Sequence, residues 1–429
     1  MESDVPALTN LTMAVGGALV AISCMFSRVG CRLGIPVSVL FLGVGMLAGV
    51  DGLGQIEFRE FSLCYIVGTV ALAAVLFAGG LQTPVRSLRD ALGPASMLAT
   101  VGVVGIATLT ALVAHTIGLP WEEAWLVGAI ISSTDASAVF SVLHGVKLPG
   151  RVAHTIELES GLNDPVAVIL TLAMTSRLLG EEVGFALIAR DLAMELVIGV
   201  ACGVALGYVA NAVLRHVALE NSAMNPVLTL GFALAAFGVP AAIGGSGFLA
   251  VYLAGIIVGN AKLPQREHLV QVHDSLSWLS QVAMFLLLGL LVNPSELPAV
   301  AFDGIAIALA LCFVVRPLVV LACLSFFRFT PREKVFIAWC GLRGAVPIVM
   351  ATLPVISAYG ESTQTTEALC AFDIVFFVVL VSAIIPGATV QWAARWLDGA
   401  NVEALGADEG CSLAGPWSWL RPLRRPATH

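Results

Sequence analysis

Thirteen apolar segments follow one another along this chain of 429 residues, and all but the short ninth have a length suited to crossing a lipid bilayer. A helix needs about 20 residues to cross a hydrocarbon core of roughly 30 Å. The chain is 58% hydrophobic and 12% charged, which excludes an ordinary soluble domain. The predicted fold class is therefore an all-α polytopic membrane protein with about 13 transmembrane helices. The segments lie near residues 9–27, 35–50, 61–81, 91–118, 122–145, 154–176, 191–214, 224–243, 247–260, 275–292, 300–327, 334–356 and 368–394.

The distribution of basic residues predicts the orientation of these spans, because cytoplasmic loops carry an excess of Lys and Arg. With the amino terminus outside, only Arg59, Arg177 and Arg190 fall outside, and Arg316 and Arg343 lie within the membrane. All the other Lys and Arg residues then fall inside. The sequence predicts an external amino terminus and a cytoplasmic carboxyl terminus.

Four polar sequences interrupt the apolar segments. Ionisable groups at bilayer depth are costly, and by default they indicate an ion or proton pathway. Counting 1.5 Å per residue from the start of each span places all four near the middle of the membrane. The four are Ser132-Ser133-Thr134-Asp135, Glu159-Ser160-Gly161-Leu162-Asn163-Asp164-Pro165, Arg316 and Gly341-Leu342-Arg343-Gly344.

Two of these sequences predict broken helices. The side chains of residues 132–135 compete for backbone hydrogen bonds in the fifth span, and Gly341, Gly344 and Pro347 weaken the twelfth. The two spans are seven crossings apart, so they run in opposite directions. An inverted repeat whose discontinuous helices meet at a central ion site has this arrangement.

Asp164 is the first candidate for binding a transported cation. Asn163 and Ser160 add oxygen ligands within one helical turn, and hard cations prefer oxygen. The alternative is a buried structural carboxylate that pairs with an arginine. Asp135 is the second candidate, with helix capping as its alternative, and Thr134 suits either role.

Glu159 and Arg316 are predicted to form a structural ion pair, because an unpaired arginine at this depth is poorly tolerated. Glu157 precedes Asp164 by seven residues and shares nearly the same helix face, nearer the cytoplasm. It lines an inner funnel or is an interfacial carboxylate.

Proteases and channels are two other classes of membrane protein with polar groups at bilayer depth. Gly244-Gly245-Ser246-Gly247 has the pattern of a rhomboid-type serine protease, but no histidine lies near the middle of a span, where it could activate Ser246. A tight turn between the eighth and ninth spans is the preferred interpretation. A cation channel also needs ligands at the middle of the membrane, yet it requires no titrating carboxylate.

The interrupting sequences resemble those of the NhaP-type sodium/proton antiporters of the cation/proton antiporter superfamily. The similarity is carried by residues 159–165, by Ser133-Thr134-Asp135-Ala136 and by Gly341-Leu342-Arg343-Gly344-Ala345-Val346-Pro347. Gly34-Ile35-Pro36, residues 45–49 and residues 283–290 look especially like the bacterial potassium/proton subgroup called cell volume regulation protein A. That subgroup usually continues into a cytosolic regulatory domain, whereas residues 398–429 are predicted to form a short cytoplasmic tail.

The resemblance implies a role for each matching residue. Asp164 is similar to the transport carboxylate, with Asn163, Ser160, Thr134 and Asp135 around it. Glu159 and Arg316 look like the stabilising ion pair of the family, and Arg343 looks like the charge at the helix crossing. A homodimer is also implied, with core helices near 91–176 and 300–394 beside dimerisation and scaffold helices near 9–81 and 191–292.

The predicted function is therefore electroneutral exchange of one Na⁺ or K⁺ for one H⁺ by alternating access, in a bacterial inner membrane. Asp164 and Asp135 are the expected charged ligands of the cation. Membrane lipid and a second copy of the chain are the expected partners. We expect no cofactor, no nucleic-acid partner and no enzymatic activity.

Overall fold

The computed structural model describes residues 37–135, 148–181, 184–216, 224–261, 263, 266–360 and 362–398, together with residues 13–14, 16–22 and 25 of the first predicted span. The second half of the predicted fifth span, from Ala136, lies outside the described residues. So does the predicted tail beyond residue 398.

The described residues are helical almost throughout, and among them the only strand-like pairing is one bridge between Gly49 and Ile56. The α-helices are α1 (Val37–Ala48), α2 (Phe61–Gln82), α3 (Val85–Met97), α4 (Val103–Ile117), α5 (Trp121–Ile130), α6 (Gly150–Leu178), α7 (Phe185–His216), α8 (Met224–Ala242), α9 (Gly247–Gly259), α10 (Arg266–Leu291), α11 (Leu297–Ala310), α12 (Arg316–Cys323), α13 (Pro331–Trp339), α14 (Ala345–Ser357) and α15 (Ser362–Asp398). Seven helices of the described part are long and apolar enough to cross a membrane, and three shorter apolar helices accompany them.

Both predicted breaks are present. In the fifth span α5 ends at Ile130, and in the twelfth span α13 ends at Trp339 before α14 begins at Ala345. The neighbouring fourth and eleventh spans share another feature, because each contains a π-helical turn, at Leu98–Gly102 and at Leu311–Val315. The π-helical turns are thus also seven spans apart. The predicted all-α antiporter fold with two discontinuous helices is confirmed.

The helices pack as two bundles. In the α2 bundle, α9 packs against α2 and α7, while α10 packs against α1 and α2, and α8 joins α7 and α9. In the α6 bundle, α3 and α5 pack against α6, α4 against α5, and α11 and α14 against α15. The bundles meet where α14 lies on α2 and where α6 contacts α7 and α9.

Glycines bring the helices of the α2 bundle close together. A methyl group at Gly80 would overlap the backbone of α9, and one at Gly255 would overlap the backbone of α2. Lipid is as apolar as the side chains of membrane helices, so helix association depends on van der Waals packing. Small residues improve this packing because they let the backbones approach closely. The turn between α8 and α9 has Gly244 at a φ of +77°, and Ser246 Oγ accepts a hydrogen bond from Leu249 N. Ser246 thus caps α9, as expected of a tight turn.

Candidate ion-binding site

The two helix breaks contact each other directly. Asp135 N donates a hydrogen bond to Leu342 O at 2.9 Å. Arg343 Nε donates to Ile131 O at 3.1 Å. Ser132 Oγ also donates to Ala129 O at 2.6 Å, a local bond that competes with continuation of α5. Each break therefore supplies hydrogen-bonding partners for the backbone that the other leaves unpaired.

Asp135 caps the second half-helix. Its Oδ2 atom accepts a hydrogen bond from Ala345 N, the first residue of α14, at 3.1 Å. A carboxylate is stabilising at a helix amino terminus, where unpaired N–H groups carry partial positive charge. Asp135 therefore caps a helix, the alternative role considered for it, but the helix that it caps belongs to the other break.

Arg343 has the complementary position. Its guanidinium donates through Nε to Ile131 O, at the end of α5, and through Nη1 to Gly341 O. Its backbone N donates to Ser382 Oγ at 2.9 Å. A cation is stabilising beside carbonyl groups at a helix carboxyl terminus. Asp135 thus lies at the amino terminus of α14 and Arg343 at the carboxyl terminus of α5. Each charge is next to the helix end of opposite partial charge.

Two glycines make room for these charged side chains. A methyl group at Gly344 would overlap Asp135 Oδ2, and one at Gly341 would overlap the guanidinium of Arg316. Both side chains are buried, so neither can move away into solvent.

We expect Gly344→Ala to destabilise the protein by about 1–3 kcal/mol, a typical cost of overpacking, because Asp135 must leave its cap on α14. Thermal unfolding in detergent measures the change. Gly231→Ala is the matched control, since nothing lies within 4 Å of the methyl group that it adds to α8. Equal unfolding temperatures for the two variants would contradict the packing described here.

The α6 helix carries the candidate transport carboxylate. Ser160, Asn163 and Asp164 lie within little more than one turn of α6, and all three are buried. Asn163 Nδ2 donates a hydrogen bond to Thr134 Oγ1 at 2.6 Å, and Thr134 Oγ1 lies 3.0 Å from Ser160 Oγ. The polar residues of α6 are therefore tied to the break that follows α5.

Three buried oxygens near this network have no hydrogen-bond partner among the described residues. They are Asp164 Oδ1, Asn163 Oδ1 and Ser133 Oγ. Leaving such groups unpaired costs about 1–3 kcal/mol each, and more for a charge. Monovalent cations bind carboxylate, carbonyl and hydroxyl oxygens, so the donor set suits a bound cation. Asp135 also lies within electrostatic range of Asp164.

Glu159 and Arg316 form a bidentate ion pair. Arg316 Nη1 donates to Glu159 Oε1 at 2.9 Å and Nη2 donates to Oε2 at 3.2 Å, with both side chains 3% exposed. Arg316 Nε also donates to Ala338 O near the end of α13 at 3.2 Å. The pair thus ties α6 to α12 and to the start of the second break.

The structure places the predicted site residues in three connected groups. Asp135 and Arg343 lie at the crossing, the pair Glu159 and Arg316 lies beside it, and Asp164 lies with Asn163, Ser160 and Thr134. The sequence did not single out Ser133 as a candidate ligand, although Ser133 belongs to the polar sequence 132–135 that interrupts the fifth span. The π-helical turn that ends immediately before Arg316 was also missed, and its residues are apolar throughout.

Comparison with known proteins is consistent with this geometry. Residues 18–396 match the family described as "Sodium/hydrogen exchanger, transmembrane". The chain is 42% identical over 391 residues to the K(+)/H(+) antiporter NhaP of Alkalimonas amylolytica, covering 90% of this chain and 67% of that protein. It is 39% identical over 390 residues to the K(+)/H(+) antiporter NhaP2 of Shewanella baltica, covering 90% and 66%.

The fold is similar to that of a solved structure, the sodium proton antiporter MjNhaP1 from Methanocaldococcus jannaschii at pH 8. The TM-score is 0.77 at 24% sequence identity, and the match covers 91% of this chain and 99% of the other. The chain spans about two thirds of the length of the two curated relatives described above.

Proposed function

The chain belongs to the transmembrane sodium/hydrogen exchanger family, and on that premise we propose that it exchanges a monovalent cation for protons across a membrane by alternating access. The family is one of transporters, and it supports an antiporter over a channel. Potassium is the first cation to test, because two relatives about 40% identical to this chain are named K⁺/H⁺ antiporters. Sodium is the second.

One observation carries the proposal. Asp164 is a buried carboxylate whose Oδ1 has no partner among the described residues, and neutral oxygens of Asn163 and Ser133 nearby are also unpaired. A proton neutralises this carboxylate, and so does a monovalent cation held by it and the neutral oxygens. Because the two ligands compete for the same oxygen, binding of one requires release of the other.

We assign supporting roles to the neighbouring residues. The hydrogen bond from Asn163 to Thr134 and the contact between Thr134 and Ser160 fix the neutral oxygens relative to α6. Asp135 adds negative potential while it caps α14. The pair of Glu159 and Arg316 holds α6 against α12 and leaves Asp164 without a neutralising arginine among the ion pairs of the described region.

The two bundles suggest how the site changes sides. We assign the α6 bundle, which contains both breaks and Asp164, as the moving core domain. The α2 bundle is then the scaffold through which two copies form a homodimer. The proposed location is a bacterial inner membrane, with the amino terminus outside and the Gly150 end of α6 facing the cytoplasm.

We expect the exchange to be electroneutral. Electrogenic members of the superfamily that the chain resembles carry Asp-Asp where this chain has Asn163-Asp164, so the position of a second proton-binding carboxylate is an uncharged amide. One cation then exchanges for one proton, and an imposed membrane potential does no net work on the cycle. The measurement is the exchange rate in vesicles whose voltage is clamped independently of the substrate gradient. An end point that shifts with voltage would implicate a second titrating group, with Asp135 and Glu159 the first to examine.

Proton flux from reconstituted vesicles tests the proposed function itself. Adding K⁺, Na⁺ or Li⁺ to the external solution should drive protons out of the vesicle lumen through the wild-type protein for at least one of these cations. The control is a vesicle without protein. Cation movement without proton movement would replace the antiporter with a channel.

A further inference from the structure

Tyr252 lies between the two bundles and touches the helix that carries Asp164. It belongs to α9 of the α2 bundle, and its side chain is 3% exposed. A methyl group added at Gly161 of α6 would lie 3.1 Å from Tyr252 Cε1 and 3.2 Å from Cδ1. These distances are shorter than the ordinary carbon contact of about 3.5–4.0 Å. The ring therefore rests on α6 at a position that has no side chain.

The hydroxyl of Tyr252 is held by its own bundle. The Thr83 hydroxyl donates to Gly79 O at 2.9 Å, so its only hydrogen is already used. The Tyr252 hydroxyl, 3.3 Å from Thr83 Oγ1, is consequently the donor of that contact. Thr83 directly follows the last residue of α2. When the bundles move relative to each other, this anchor keeps the ring with the α2 bundle.

The ring lies on a stripe of α6 that connects two carboxylates. Glu157, Gly161 and Asp164 are spaced four and three residues apart, so they share one helix face. Glu157 is half-buried and within electrostatic range of the Tyr252 hydroxyl, whereas Asp164 is buried. At 1.5 Å per residue the two carboxylates are about 10 Å apart along the helix axis. The Tyr252 ring contacts the stripe between them.

We propose that Tyr252 is a gate on the Gly150 side of the site, closing the path from Glu157 to Asp164 in the conformation described here. Glu157 is then the carboxylate at which a cation waits before the ring withdraws. The inference rests on the proposed function for the identity of the ligands, but not for the position of the ring. Gly161 provides the clearance that allows the ring to slide along α6 as the bundles move.

Chemical labelling tests the gate without requiring transport. Asp164→Cys places a thiol at the site, and a membrane-impermeant methanethiosulfonate reports its accessibility by mass spectrometry of the peptide that contains it. In vesicles that expose the Gly150 end of α6, adding Tyr252→Ala should raise the labelling rate at least about fivefold, since the closing ring is removed. In vesicles of the opposite orientation the rate should stay the same.

Tyr208→Ala is the matched control for this experiment. Tyr208 lies on α7 of the same bundle and is 62% exposed, so its removal should leave the labelling rate at position 164 unchanged. The buried thiol of Cys340 reports folding, because it stays unlabelled in a folded variant. If Tyr252→Ala exposes Cys340, the experiment is repeated with Tyr252→Leu. Leucine keeps a large apolar side chain at this position and still removes the ring. A rate equal to that of Tyr208→Ala, or a rise on both faces, would overturn the gate.

Exchange measurements add a second test, which applies once the wild-type protein shows proton flux. Gly161→Ala should slow exchange at least about tenfold, because the added methyl group obstructs the ring. Adding Tyr252→Ala to Gly161→Ala should restore most of the lost rate. If the double variant stays as slow as Gly161→Ala alone, the ring is not what Gly161 accommodates. Absence of flux in the wild-type protein would instead count against the proposed function, and the labelling result would stand by itself.

Discussion

We expect Asp164→Asn to abolish cation-driven proton flux in reconstituted vesicles and to leave the protein folded. The amide keeps the size and shape of the carboxylate, but it removes the charge for which a cation and a proton compete. Because the wild-type Oδ1 atom accepts no hydrogen bond from the described residues, the substitution breaks none at that atom. We expect a loss of at least about a hundredfold in exchange rate, with an unfolding temperature at or above that of the wild type, since a buried charge is removed.

Asp191→Asn is the control for this substitution. Asp191 is exposed on α7 and pairs only with the neighbouring Arg190 among the described ion pairs, so the same chemical change there should leave exchange intact. Asp135→Asn should reduce cation affinity or rate less completely than Asp164→Asn, because the role proposed for Asp135 is to add negative potential at the site. Full flux in the Asp164→Asn variant would remove Asp164 from the mechanism and direct attention to Asp135.

Separating Glu159 from Arg316 is expected to give the largest loss of stability. Each single variant, Glu159→Gln or Arg316→Gln, leaves an uncompensated charge in a buried position, at a typical cost of about 3–5 kcal/mol. The double variant removes both charges and should recover most of that loss. Recovery is expected to be incomplete, because Ala338 O also loses the hydrogen bond that it accepts from Arg316.

The double-mutant cycle has a matched control on the surface. Arg190 and Asp191 form an ion pair at the same 2.9 Å, but their side chains are 69% and 49% exposed. The corresponding cycle with Arg190→Gln and Asp191→Asn should give a coupling energy of about 0–1 kcal/mol. Losses that simply add at Glu159 and Arg316 would show that the two charges do not stabilise each other.

The sequence was most informative about the length, direction and polar residues of individual spans. Apolar length predicted the spans, and the offset of seven crossings predicted two opposed broken helices. Ser160, Asn163 and Asp164 could be grouped because they lie on a single helical segment of known pitch. The spans and the grouping on α6 depend on residues that are close in sequence, and the opposed directions of the breaks depend only on the number of spans between them.

Contacts between segments that are distant in sequence could not be predicted in the same way. Asp135 and Ala345 are 210 residues apart, and no local pattern indicates that the first caps the second. The requirement for glycine at 341 and 344 likewise follows from charged groups that other segments bring to these positions. The π-helical turns lie within mainly apolar spans and have no distinctive composition, so the sequence did not predict them.

The balance of buried charges at the crossing bears on how tightly the two fluxes are coupled. Asp135 offsets Arg343 and Glu159 offsets Arg316, so occupancy of Asp164 alone sets the net charge of these five side chains. The sum is zero with a proton or a monovalent cation bound, and minus one when the site is empty. Carrying an unbalanced charge through a low-dielectric barrier costs several kcal/mol. On the proposed mechanism, an unloaded α6 bundle is therefore held on the side where it released its ligand. This barrier would limit slippage, the futile return that dissipates one gradient without building the other.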